Sequence, residues 1–160
     1  MNAVLIVALS VGLATGSSGA QPQKPRVELT PAPGSITVEP GGKGLVSVTI
    51  KLPKNVHVQS DKPDDPSLIA TVLTVTPAAG IVIDRIVYPA AVRLQQADRV
   101  KPLSVFGPEV VIDVHLSAAP GAPAGRITLP AQLRYQACDE RVCFAPSRAP
   151  VEWVINVAPR

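Results

Sequence analysis

Two cysteines, Cys138 and Cys143, are the residues of this chain whose type and spacing can do chemistry. They stand in the run Tyr135-Gln136-Ala137-Cys138-Asp139-Glu140-Arg141-Val142-Cys143-Phe144-Ala145-Pro146. A connection this short can bring two Cα atoms within the roughly 4.4–6.8 Å that a disulfide needs. Two readings follow. As a staple, so small a ring contributes only about 2 kcal/mol through chain entropy. As an exchange site, a short exposed ring invites attack by another thiolate. Asp139 and Glu140 disfavour a neighbouring thiolate by repulsion, and Arg141 favours one. No histidine is adjacent, and Cys-x4-Cys is not the Cys-x-x-Cys of thioredoxin-like folds. From these residues alone both readings stand.

The other reactive side chains make no constellation. His57 and His115 fall in different predicted strands, without the carboxylate or thiolate spacing of a metal site. The single methionine is Met1, so thioether copper ligation is not expected. Asp61, Asp64 and Asp65 sit among Pro63 and Pro66, where turn formation explains the acids better than a Ca²⁺ site. Ser104 and Ser117 lack triad partners. No cofactor and no metal are expected. The net charge of +3 is scattered, with no basic stripe, so nucleic acid is not an expected partner.

Compartment decides whether a disulfide can persist. Ala3 to Ala14 is an apolar run, followed by the small residues Gly16-Ser17-Ser18-Gly19-Ala20. This predicts a secretory signal over residues 1–20, cleaved after Ser18-x-Ala20, although its start carries no Lys or Arg. The run is short for a bilayer, and nothing later is apolar enough to cross one. The mature chain is therefore expected to be periplasmic, with secretion as the alternative, and to have no membrane span. Residues 21–29 read as a leader and 30–160 as one domain.

The elements that must position the cysteines are strands. The 160 residues include 18 prolines and 11 glycines, which favour many turns and few long helices. Period-two alternation predicts strands at Leu45–Leu52, Leu68–Thr76, Ile81–Tyr88, Val110–Leu116, Ile127–Tyr135 and Val151–Val157. Weaker candidates are Val27–Leu29, Ser35–Val38 and Val56–Gln59, while Gln95–Val100 offers one helical turn at most. Pro130, on the polar side of its run, implies an edge or a bulge. Trp153 alternates inward as core. Roughly seven to nine short strands imply an all-β, immunoglobulin-like sandwich of two antiparallel sheets. Continuing the alternation through Tyr135 puts Cys138 on the outer face, at a partly exposed hairpin tip.

Tyr135-Gln136-Ala137-Cys138-x4-Cys143-x2-Pro146 resembles the signature of the N-terminal periplasmic domain of DsbD-type thiol:disulfide interchange proteins, the protein-disulfide reductase family. Pro40-Gly41-Gly42, His57 after Leu52-Pro53-Lys54-Asn55, Leu68-Ile69-Ala70-Thr71 and Tyr88-Pro89 agree in order, so the likeness covers about residues 30–157. The resemblance implies an immunoglobulin-like fold and a Cys138–Cys143 pair that cycles between dithiol and disulfide. It implies that Cys143 forms the mixed disulfide, that an aromatic cap shields the pair, and that Tyr135 packs beneath it. Phe106, in Leu103-Ser104-Val105-Phe106-Gly107, is the cap candidate, with Phe144 as a second. Implied partners are thioredoxin-fold periplasmic proteins, in settings such as cytochrome c maturation, and a separate membrane electron donor, since the chain stops at Arg160. The alternative is a binding or structural domain in which the disulfide is only a staple.

Overall fold

The computed structural model describes residues 24–160. The predicted signal segment and the start of the leader lie outside the described residues. Twelve strands occur among the described residues: β1 (Glu28–Pro31), β2 (Ser35–Val38), β3 (Lys43–Lys51), β4 (His57–Gln59), β5 (Val72–Val75), β6 (Ile81–Val87), β7 (Val92–Leu94), β8 (Leu103–Phe106), β9 (Glu109–Ala118), β10 (Gly125–Tyr135), β11 (Ala137–Cys138) and β12 (Ser147–Val157). No helix occurs among the described residues.

Two four-stranded sheets make the sandwich, β1-β3-β9-β6 and β2-β12-β10-β5. Pairing is antiparallel except for β2, which runs parallel to β12. The alternation read in the sequence sets which face is buried. Val46, Val48 and Ile50 of β3 and Val110, Ile112, Val114 and Leu116 of β9 meet Leu129 and Leu133 of β10 and Trp153 and Ile155 of β12 in one core. Trp153 also donates its indole N–H across the sandwich to the Ser47 carbonyl, 2.8 Å away, so its polar edge is satisfied. Pro130 sits in register opposite Glu152, without a bulge. Its free flank lies where β5 ends: Thr76 N–H donates to the Pro130 carbonyl at 2.9 Å, and no N–H is required of the proline.

A third sheet, β11-β4-β8-β7, was not expected. It exists because the chain leaves the sandwich after Tyr135. Gln136 breaks the alternation, and Ala137 and Cys138 pair with Val58 and His57 instead. Alternation within this sheet then gives two faces. Ala137, Val58 and Phe106 turn into the main core. Cys138, Leu103 and Val105 form a second apolar cluster with Leu68, and Leu94 and Cys143 pack against it.

One expectation is corrected here. The strand predicted from Leu68 forms only over Val72–Val75. Leu68 is drawn into the second cluster, and the N–H groups before the strand find other acceptors: Ile69 donates to Gln136 Oε1 at 2.8 Å and Thr71 to the Ser60 carbonyl at 3.0 Å. Gln95–Val100 makes a turn without a helix, closed by Arg99 N–H on the Gln96 carbonyl.

Candidate functional site

The hairpin that carries the cysteines is built by its first residue. The Asp139 carboxylate accepts the N–H groups of Arg141 and Val142, each at 2.8 Å. Asp139 N–H reaches back from its side of the turn to the Val142 carbonyl at 2.9 Å. This Asx-type turn places Cys138 and Cys143 opposite each other as a β-bridge, with Cα atoms 4.0 Å apart and the sulfurs bonded. Phe144 N–H then closes on the Ala137 carbonyl at 2.8 Å.

The expectation of an outward, partly exposed Cys138 is wrong. Cys138 has 0% exposure, whereas Cys143 is part-exposed. The shift into the third sheet at Gln136 causes this: the face that would have been solvent is covered by Leu68, Leu103 and Val105. The two cysteines of one bond therefore see different surroundings, Cys138 fully covered and Cys143 part-exposed.

The aromatic cap is also corrected. Phe106 is 2% exposed and belongs to the main core, where its ring stacks on Tyr88 at a centroid distance of 6.2 Å. Its neighbour in β8, Val105, points to the opposite face and touches the cysteine cluster. Cover over Cys138 is thus aliphatic. Tyr135 is buried in the main core at the end of β10, and Phe144 packs against that core from a half-buried position. Neither lies in the apolar cluster around Cys138.

Two glutamines were missed. Gln59, at 0% exposure, directs Nε2 to Cys138 Sγ at 3.0 Å and to Cys143 Sγ at 3.5 Å. Gln96, at 3% exposure, donates to the Asp139 carbonyl at 2.7 Å and passes 3.9 Å from Cys143 Sγ. The available signal was Gln59 closing the apolar run of β4, where alternation could have carried it to the cysteine face. Gln59 Oε1 is buried without a partner, an arrangement that costs about 1–3 kcal/mol. His57 stands in register beside Cys138, and its buried Nδ1 also lacks a partner. Gly107, at φ +148°, lets β8 pass under this histidine; a Cβ there would come within 3.2 Å of the ring.

The rim is polar. Asp64 pairs with Arg93, and Asp65 pairs with Arg99 at 3.2 Å, tying the loop before β5 to the segments on either side of β7's end. The acids weighed as a Ca²⁺ site are thereby engaged by arginines. Hydrogen bonds from Ser67, then Arg99, hold the Asp65 carboxyl below its ordinary range. A cavity of about 290 Å³ opens beside this rim, lined by Asp65, Leu68, Arg99, Lys101, Leu103 and Ser104. His115 lies elsewhere, on β9, with Nε2 3.4 Å from an Arg85 nitrogen.

An immunoglobulin-like sandwich with an added sheet that presents one half-covered disulfide defines a thiol–disulfide domain. The chain belongs to the family described as the N-terminal domain of the thiol:disulfide interchange protein DsbD, which it matches over residues 26–153. Among solved structures it is similar to the N-terminal periplasmic domain of ScsB from Proteus mirabilis: 14% identity and TM-score 0.53, over 81% of this chain and 45% of that one. This chain thus spans less than half of that structure, and the likeness shows the fold. It is also similar to AggA, the major subunit of aggregative adherence fimbriae type I from Escherichia coli, at 14% identity and TM-score 0.43, over 85% of this chain and 97% of that one. Among curated proteins none matches. No helix among the described residues is long and apolar enough to cross a membrane.

Proposed function

We propose that this chain is an exported thiol–disulfide exchange module that relays reducing equivalents from a membrane electron donor to thioredoxin-fold partners through Cys138 and Cys143. The observation that carries the reading is the asymmetry of the disulfide, a fully buried Cys138 bonded to a part-exposed Cys143. A donor thiolate attacks Cys143 Sγ, the Cys138–Cys143 bond breaks, and Cys138 takes the electron pair as a thiolate. The donor's second thiolate then attacks the mixed disulfide and releases Cys143. In the outgoing half, the Cys143 thiolate attacks a partner disulfide, and Cys138 resolves the complex. No cofactor enters. The apolar run from Ala3 to Ala14 and the Ser18-x-Ala20 site support export to the periplasm, with Gln21 as the mature start.

The test is a pair of single variants. Cys143→Ser abolishes transfer, and Cys138→Ser accumulates a covalent complex with a thioredoxin-fold protein through Cys143. Wild-type transfer by both variants overturns the reading. The buried position of Cys138 also suits a plain staple on a binding domain, which the reduction potential distinguishes. Exchange requires a value well above about −300 mV, and a staple lies below it.

A further inference from the structure

Gln59 is held on both sides of its backbone. Its N–H donates to the Gln136 carbonyl at 2.9 Å, and its own carbonyl accepts the Thr71 hydroxyl. The backbone is thereby fixed beside the sulfurs, and the side chain reaches them with Nε2 nearer Cys138 than Cys143. A sulfur in a disulfide is a weak acceptor. A thiolate is a charged one, and hydrogen bonds to charged groups are the stronger kind. The contact therefore strengthens as the disulfide opens, which is the condition for an interaction to lower a barrier.

We propose that Gln59 is the donor that stabilises Cys138 as the leaving and resolving sulfur. This rests on the exchange reading above. As a dithiol of the thioredoxin class bonds to Cys143 Sγ, the Cys138–Cys143 bond breaks and its electron pair arrives on Cys138 Sγ beside the Gln59 N–H. The donor dithiol is oxidised and the pair reduced. When Cys138 later takes a proton, its S–H supplies the donor that Gln59 Oε1 lacks, reached by turning the amide over. One side chain thus serves both protonation states, which accounts for an amide kept buried with one end unpaired. Gln96 is not equivalent, because its Nε2 is committed to the Asp139 carbonyl.

The experiment measures reduction of the oxidised wild type, Gln59→Met and Gln96→Met by dithiothreitol across pH, with the ultraviolet absorbance of the thiolate followed in the reduced proteins. Gln59→Met is expected to slow reduction about tenfold, the size of a charge-assisted hydrogen bond partly formed in the transition state. Its thiolate absorbance appears at higher pH, while Gln96→Met stays within about twofold of wild type. A folded Gln59→Met with wild-type rate and wild-type thiolate titration overturns the proposal. Should Gln59→Met fail to fold, Gln59→Glu decides. Its ionised carboxylate repels the thiolate, so the rate relative to wild type must fall as pH rises, and a constant ratio overturns the proposal. Because dithiothreitol needs no docking surface, a slowed Gln59→Met beside a wild type that passes nothing to thioredoxin-fold partners would sink the relay and leave the donor role intact.

Discussion

The structure sets how much stability the Cys138–Cys143 bond contributes, and so how far the bonded and reduced states of the chain differ. The ring closed by Cys138 and Cys143 spans a sequence separation of 5. Chain entropy assigns such a ring about 2 kcal/mol. Little else should be lost on reduction. Cys138 lies among Leu68, Leu103 and Val105, and a free thiol there packs as a small hydrophobe. The turn is fastened independently by the Asp139 carboxylate. The expected loss is thus about 2 kcal/mol, against the roughly 5–15 kcal/mol that an ordinary domain has. By linkage the folded chain holds its disulfide by the same amount more than the unfolded chain does, roughly 45 mV. Urea unfolding of oxidised and dithiothreitol-reduced protein measures the difference, reported by the fluorescence of Trp153, which is 3% exposed in the core. The slopes should agree and the midpoints differ. In a thermal melt the shift is roughly 5–10 °C. Cys138→Ala/Cys143→Ala should fall with the reduced protein. A loss beyond about 4 kcal/mol, or unfolding on reduction, would refute the reasoning, because the disulfide would then be holding the third sheet together.

Val105→Ala should cost about 2 kcal/mol and speed dithiothreitol reduction by uncovering Cys138, whereas Phe106→Leu should destabilise without that acceleration; equal acceleration by both would show that the cover is not aliphatic. Tyr88 accepts the Leu73 N–H at 2.9 Å, and burial pushes its phenol above the ordinary 10.0. A folded value above the unfolded one leaves stability whole below about pH 10 and removes it as pH rises through the folded value. Tyr88→Phe should abolish this alkaline slope in melts, at a neutral-pH cost of about 1–2 kcal/mol for the orphaned N–H. Asp65 has the opposite sign: its carboxyl is held below 3.8, so the tether to Ser67 and Arg99 persists above that value and is lost as pH falls through the depressed one. Asp65→Asn should reproduce the acid state at neutral pH, seen as faster amide exchange at Ser67.

What was legible followed from periodicity. The strands of the sandwich core announce themselves by clean alternation, as in Val46, Val48 and Ile50, because one face meets water and the other does not. β8 does not alternate: all of Leu103–Phe106 is buried, since that strand lies between the main core and the cysteine cluster. A strand covered on both faces looks like a short apolar run of any kind, and no period-two alternation marks it. The same lack of alternation hides that Val105, and not its neighbour Phe106, is the β8 residue packed with Cys138. Nothing before Gln136 signals the change of sheet, because the polar contacts of its amide, to Ile69 and Phe144, come from segments distant in sequence or beyond the turn. Cysteine spacing located the site, while burial of Cys138 required the third sheet.

That third sheet sets the disulfide apart from the well-packed sandwich. Had Cys138 continued the alternation of β10, making and breaking its bond would have taken place on a solvated face with no means of distinguishing the two sulfurs. Shifting the chain by one small strand covers one sulfur with aliphatic side chains and an amide, and leaves the other part-exposed. The opposite face of the same sheet, Ala137, Val58 and Phe106, is welded to the main core, so the platform does not depend on the bond it displays. The hairpin and the loop clasped by Arg93 and Arg99 are tied down less, since those ion pairs are solvent-exposed and weak. Order in the platform and looseness at the rim are what a disulfide needs to be opened by a partner yet protected from chance thiols.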